Sequence, residues 1–426
     1  MSKKLFPLLV VSIITATVFS SVALADVDEL QSPGDTCEYG HFTVKVLEAN
    51  ANSEDFNENT DFSLYEIMDY TQKVPYADSY NANGATEDNN TSSMYILTSG
   101  DHALLIDLGN GAEATARHFG EVDTEQKDDN GNYVVDEAVI DKINSEYHNL
   151  IHEIIGDRDY QIAITHNHGD HTGYYSALGG EGLTVYFPEK DYGDDQKAMF
   201  DDLYQVETFT PGDFIINVGD VKVESISCKG HTDDSALFLI DTPVVTYDFD
   251  GDKAVSSSGQ YILLTGDAIG SGSSVWLFSS YAVKNLTKSI SSVYGKMKTM
   301  TNYDDYLGNG EKTDATLRIY GGHGWQYTNR FGDMKMDLGY IKSMKDLLDR
   351  LPEGDWVTAD AEGVAEDGTD INTLLEDGKM VMKPANDWMS TVYAGTDLSE
   401  VAAVTSMPDV FNEIAGTDIT TEEATE

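Results

Sequence analysis

The sequence predicts an α/β protein in which sheets are covered by helices. Three observations lead there. Short apolar runs recur along the chain, several ending in a glycine or acidic loop. Three longer segments carry apolar residues at helical spacing instead. The two kinds of segment are interleaved rather than separated, as expected of sheets with helices laid on them.

The elements follow in chain order. Residues 26–40 read as an irregular leader, and His41–Leu47 alternates as a strand does. Residues 49–91 are polar and asparagine-rich, and read as loop with a short helix around Leu64–Thr71. Ser93–Thr98 and Ala103–Asp107 are apolar runs joined by Ser99-Gly100-Asp101, a hairpin signal. Residues 111–137 are mostly polar, with a turn at Asp128–Gly131. Ala138–Ile155 has Val139, Ile140, Ile143, Leu150, Ile151, Ile154 and Ile155 at helical spacing, and Gly156 stops it. Tyr160–Thr165 is a short buried strand. Further strands are expected at Leu183–Phe187, Val221–Ser227, Ala236–Asp241, Tyr261–Thr265 and Thr316–Tyr320, and helices at Val283–Thr299 and Gly339–Leu351. After Pro352 the chain becomes acidic and less periodic, and Ala415–Glu426 reads as a disordered tail.

A chain of 426 residues allows one large domain or two small ones. Lys3 and Lys4 precede an apolar run from Leu5 to Val18, and Ala23-Leu24-Ala25 gives a small-x-small cleavage pattern. The expected organisation is a signal peptide at 1–25, a main domain at 26–351 and an acidic extension at 352–426. The expected location is extracytoplasmic, with no stable membrane insertion after cleavage. The formal charge is −49. Such a surface repels nucleic acid and disfavours anionic membranes and polyanionic substrates, so the expected partner is a small molecule. Asp248–Asp252 is acidic but lacks the spacing of a calcium loop and reads as a turn. Cys37 and Cys228 are the two cysteines. They read as structural or free thiols, and the sequence does not decide whether they pair.

The chemistry concentrates at strand ends. His166-Asn167-His168-Gly169-Asp170-His171 directly follows a strand. Two histidines one residue apart can reach one metal, while Asp170 and His171 reach a second. His231 follows the strand Val221–Ser227 in Gly230-His231, Asp267 ends a strand in Thr265-Gly266-Asp267, and His323 ends another in Gly321-Gly322-His323. Each of these three is weak alone: Asp267 is also a turn or cap residue by type. Four strand ends in succession, each with a metal-type side chain, are strong together.

This order resembles the dinuclear signature of the metallo-β-lactamase superfamily over roughly residues 41–350. The resemblance implies a four-layer αββα sandwich with two metal ions at one edge. It implies that His166, His168 and His231 bind the first, that Asp170, His171 and His323 bind the second, and that Asp267 bridges them. Zinc suits this His/Asp set, and manganese or iron fit the same ligands. The implied chemistry is hydrolysis by a metal-activated hydroxide, with Asp170 orienting it or shuttling a proton, and no serine or cysteine nucleophile is required. His168 stands where the flavodiiron oxygen reductases of the superfamily carry a glutamate, which disfavours redox chemistry. The bridging Asp267 is generally missing from true zinc β-lactamases, so the superfamily's name is not the expected activity. Gly270 stands where quorum-quenching lactonases carry a tyrosine, and the basic insertion of the nucleases is absent.

The expected reaction is cleavage of an ester, lactone, thioester or amide in a small molecule. The rivals are an extracellular phosphodiesterase, which the scarcity of basic residues disfavours, and a catalytically silent metal-binding scaffold. After Asp267, Trp276, Leu277 and Phe278 form either an apolar substrate wall or the packing of a following helix. Tyr174, Tyr175, Trp325 and Tyr327 carry the same ambiguity, with helix packing favoured for the first two.

Overall fold

The computed structural model describes residues 27, 30, 32–49, 62–69, 92–128, 131–180, 182–250, 253–270, 274–301, 315–323, 328–329, 332–333, 335–386 and 388–416. The expected signal peptide at 1–25 and residues 417–426 of the expected tail lie outside them.

The chain opens on five strands, β1 (Thr36–Tyr39), β2 (Phe42–Ala49), β3 (Phe62–Met68), β4 (Ser93–Ser99) and β5 (His102–Ile106). Helix α1 (Ala112–His118), a small hairpin of β6 (Asp123–Lys127) and β7 (Tyr133–Val134), and helix α2 (Glu137–Ile155) follow. Then come β8 (Asp159–Ala163), the single turn α3 (Gly169–Thr172), β9 (Thr184–Pro188), α4 (Asp194–Phe200) and β10 (Gln205–Phe209). These strands make one eight-stranded sheet in the order β1-β2-β3-β4-β5-β8-β9-β10. Helix α2 starts where the Asp136 side chain accepts the Ala138 N–H, and ends at Gly156 with φ 64°.

A second sheet contains β11 (Ile215–Val218), β12 (Val221–Ser227), β13 (Ala236–Asp250), β14 (Lys253–Leu264) and, after β15 (Val275–Trp276) and helix α5 (Ser280–Thr301), β16 (Ala315–Tyr320). A short pair, β17 (Thr328–Asn329) and β18 (Gly332–Asp333), leads to α6 (Leu338–Arg350). The chain ends in β19 (Val357–Thr358), α7 (Ile371–Glu376), β20 (Val381–Pro384), β21 (Ser390–Ala394), β22 (Ala402–Ser406) and α8 (Pro408–Ile414).

Strand alternation builds the layers. On β13, Phe238 and Ile240 face the first sheet and join Leu97, Leu104, Ile106 and Val223 in the apolar layer between the sheets. Leu237 and Leu239 face the other way, against Val283, Leu286 and Ile290 of α5 and Ile341 and Met344 of α6. On the far side of the first sheet, Ile96, Leu105 and Ile162 meet Ile143, Leu150, Ile151 and Ile154 of α2. The result is the expected four-layer αββα sandwich. Each fully buried leucine, isoleucine or phenylalanine in these layers contributes about 1.5–3 kcal/mol.

Four local expectations are corrected. The helix expected around Leu64–Thr71 is strand β3 as far as Met68. The expected irregular leader contains strand β1, paired antiparallel with β2. The polar stretch from 111 contains α1. Residues after Pro352, read as an acidic extension, build strands β19–β22 into one sheet with β15. Val392, Val404 and Phe411 join the α5–α6 apolar layer. Among the described residues no helix is long and apolar enough to cross a membrane.

Candidate metal centre

The seven predicted side chains converge from strand ends at one edge of the sandwich. His166 follows β8. His168 precedes α3, whose single turn carries Asp170 and His171. His231 follows β12, Asp267 follows β14 and His323 follows β16. The parallel pairing of β14 with β16 aligns Leu264 with Tyr320 and sets the last two loops side by side. Gly322 has to be a glycine there: a Cβ would lie 2.1 Å from Asp267 Oδ1. Gly266, at φ 47°, turns the chain against Thr165, where a Cβ would meet the hydroxyl at 2.6 Å.

The side chains fall into two groups. One is His166, His168 and His231, and the other is Asp170, His171, Asp267 and His323. Within each group the ligand-type atoms all lie within 4.8 Å of one another. His168 Nδ1 and His231 Nε2 are 3.0 Å apart. Asp267 reaches both groups: Oδ2 is 3.2 Å from His323 Nε2 and 3.7 Å from His231 Nε2, and Oδ1 is 3.3 Å from His171 Nε2. Asp170 Oδ2 lies 3.7 Å from His323 Nε2.

Neighbouring groups fix which ring nitrogen faces inward. The His171 Nδ1–H donates to Asp107 Oδ2 at 2.9 Å, leaving Nε2 toward Asp267. The His231 Nδ1–H donates to the Trp276 carbonyl at 3.1 Å. Thr165 donates its backbone N–H and its hydroxyl to Asp107, each at 2.7 Å, and the same hydroxyl oxygen lies 3.0 Å from His166 Nδ1. Asp107 was not predicted. Part of its signal was present: an apolar strand ends in an acid, as at Asp267, although the nearest glycine is Gly109, two residues later. Asp107 also has φ 63°, which glycine-free backbone rarely adopts.

The electrostatics match a pair of cation sites. Burial, with the neighbouring histidines, pushes His166 well below the ordinary range. Burial and His231 lower His168 to about 4. Burial also lowers His231. In the other group burial opposes charge, yet Asp267, Asp107 and Asp170 hold His171 well above its usual value. Asp267 and Asp170 likewise raise His323 to about 9 against its burial. Asp267 is itself held well below the carboxylate range, because His323 and His171 outweigh its desolvation. His166 Nε2, His171 Nε2 and Asp267 Oδ1 are buried and make no hydrogen bond among the described residues. Buried polar atoms normally have partners. A metal ion in each group would supply one, and the nitrogen-rich and mixed His/Asp donor sets fit divalent cations.

The other predicted residues divide. Trp276 and Phe278 are 39% and 48% exposed, and the Trp276 carbonyl accepts the His231 Nδ1–H. Leu277 is buried in the α5–α6 layer, so the helix-packing alternative holds for it. Tyr174 is buried and stacks on Tyr147 at 4.3 Å, and Tyr175 packs against Phe200, so both secure helices. Trp325 and Tyr327 lie outside the described residues. Cys37 and Cys228 are free and sit in different layers, and burial pushes the Cys228 thiol up to about 12.

No family model matches the chain. A stretch of 98 residues, 22% of the chain, is 35% identical to a probable hydroxyacylglutathione hydrolase from Schizosaccharomyces pombe. That stretch spans 34% of the relative, so the chain matches about a third of that curated protein's length. Among solved structures, a metallo-β-lactamase from Pontibacter korlensis is 16% identical, with a TM-score of 0.39, over 72% of this chain and 99% of that one. One from Staphylococcus aureus is 17% identical, with a TM-score of 0.34, over 67% of this chain and 62% of that one.

Proposed function

We propose that this chain, whose αββα layering and order of strand-end ligands are those of the metallo-β-lactamase superfamily, is a metal-dependent hydrolase. The observation that carries the reading is Asp267: one carboxylate faces ligand nitrogens of both groups. His166, His168 and His231 hold one divalent ion. Asp170, His171 and His323 hold another, and Asp267 belongs to both. Zinc is the proposed metal, since its preference for imidazole and carboxylate donors fits the set.

When bound, the two ions acidify a water and polarise the scissile bond. The chain's own residues do the rest. Asp107 and Thr165 hold His171 and His166 in one ring orientation, so the site is ordered before substrate arrives. Asp170, 25% exposed in its side chain, is the ligand carboxylate placed to orient a water and move a proton. Trp276 and Phe278 offer apolar surface to the non-reacting part of a substrate.

The proposed substrate is a small molecule with an ester, lactone, thioester or amide bond. A charge of −49 with few basic residues supports this over a phosphodiester, which needs cationic groups to clamp it. The leader with Lys3, Lys4 and Ala23-Leu24-Ala25 supports export. The test is a panel of carboxyl ester, lactone, thioester, amide, β-lactam and phosphodiester substrates with the zinc-loaded protein. Turnover in one of the first four classes is expected. Turnover of phosphodiesters alone would redirect the assignment, and none at full metal occupancy would leave a silent scaffold.

A further inference from the structure

We infer that Asp191 is a positioning residue that ties together the two loops carrying the three histidines of the first metal group. The inference rests on the two-metal reading above.

Asp191 ends a short helical turn, Glu189–Asp191, just after β9, and is 2% exposed. A carboxylate so enclosed is costly unless donors surround it. Its donors come from the ligand loops. The Thr232 hydroxyl donates to Asp191 Oδ2 at 2.7 Å. The backbone N–H groups of Asn167 and Asp234 donate to the same carboxylate. Asn167 lies between His166 and His168, and Thr232 directly follows His231. One side chain therefore reaches both loops that supply this group.

The contact is reciprocated. Asp234, also 2% exposed, accepts the Lys190 N–H at 3.1 Å through Oδ2 and pairs with Lys229 Nζ at 3.3 Å through Oδ1. Ser235 Oγ accepts the Thr232 N–H at 3.2 Å and touches its hydroxyl at 2.5 Å. Residues 190–191 and 232–235 thus form a two-way strap beneath His231. The second group has partners of its own: His171 is oriented by Asp107, and His323 meets Asp267. Outer hydrogen-bond partners of this kind change metal affinity about 10–100-fold when removed.

The experiment is a competitive chelator titration of the full chain with Co²⁺, read by absorption, alongside circular dichroism. His231→Ala and His323→Ala provide reference spectra for loss of the first and second site. Asp191→Asn and, as a gentler variant, Thr232→Val are expected to weaken one site about 10–100-fold. The other site should stay within about threefold, and the residual one-metal spectrum should match His231→Ala. Thr232→Ser, which keeps the hydroxyl, should restore both affinities. Unchanged affinities, or an equal fall at both sites that tracks a lowered melting temperature, would overturn the inference. If the unsubstituted chain takes up fewer than two cobalt ions, the two-metal reading itself fails and the inference goes with it.

Discussion

His171 Nδ1 lies 2.9 Å from Asp107 Oδ2, and this one contact turns the opposite ring nitrogen toward Asp267. Asp107 simultaneously holds both donors of Thr165, so it ties the end of β5 to the start of the ligand loop. Asp107→Ala should weaken the second metal site about 10–100-fold and leave the first less affected. Chelator competition measures this. Equal affinities in the variant and the parent would remove Asp107 from the account.

Metal uptake should release protons. His323 is raised to about 9 by Asp267 against its burial, so it carries a proton at pH 7 in the metal-free chain, and the carboxylates around His171 push that ring the same way. A protonated nitrogen cannot bind a metal, so loading should release protons, and affinity should rise with pH up to about 9. Calorimetry in buffers of different ionisation enthalpy measures the release, and a heat independent of buffer would contradict it. The sign for folding follows from the same group. His323, with a raised folded-state value, contributes stability that is fully present below 6.5 and is lost as pH rises through about 9.

The proposed apolar wall is set apart from the core by exposure: Trp276 and Phe278 are exposed and Leu277 is buried. Replacing either aromatic with alanine should therefore change folding stability by no more than about 0.5 kcal/mol. KM should rise several-fold at unchanged metal content. Leu277→Ala, in the buried layer, should cost about 2–5 kcal/mol. An unaltered KM in both aromatic variants would remove the wall.

Asp170→Asn should lower turnover by about 10²–10⁴-fold while the melting temperature changes little. An unchanged rate at full metal occupancy would end its proposed role in proton movement.

The site was more legible than the fold around it. His231, Asp267 and His323 each end an apolar strand beside a glycine, so sequence position foretold their spatial position. Asp107 also ends an apolar strand but has no adjacent glycine and lay outside the histidine pattern, and its hydrogen bonds to Thr165 and His171 single it out. Asp191 had no local signal at all, because its partners are 24 to 43 positions away in two separate loops. Strand β3 was masked by Glu66, a buried carboxyl that interrupts the apolar alternation and is satisfied by the Ser93 hydroxyl at 2.8 Å. The last sheet was hidden similarly. Thr391 and Thr405 are buried and join hydroxyls at 2.7 Å, so a polar-looking stretch is packed strand. Periodicity reads apolar faces, and it fails where buried positions are filled by polar residues that satisfy each other.

Metal content per chain tests the central claim most directly. Elemental analysis of the zinc-loaded protein after removal of free metal should give two ions per chain, falling toward one in Asp267→Ala as the shared carboxylate is lost. Two tightly held ions remaining in Asp267→Ala, or fewer than two in the parent, would contradict a dinuclear centre bridged by Asp267.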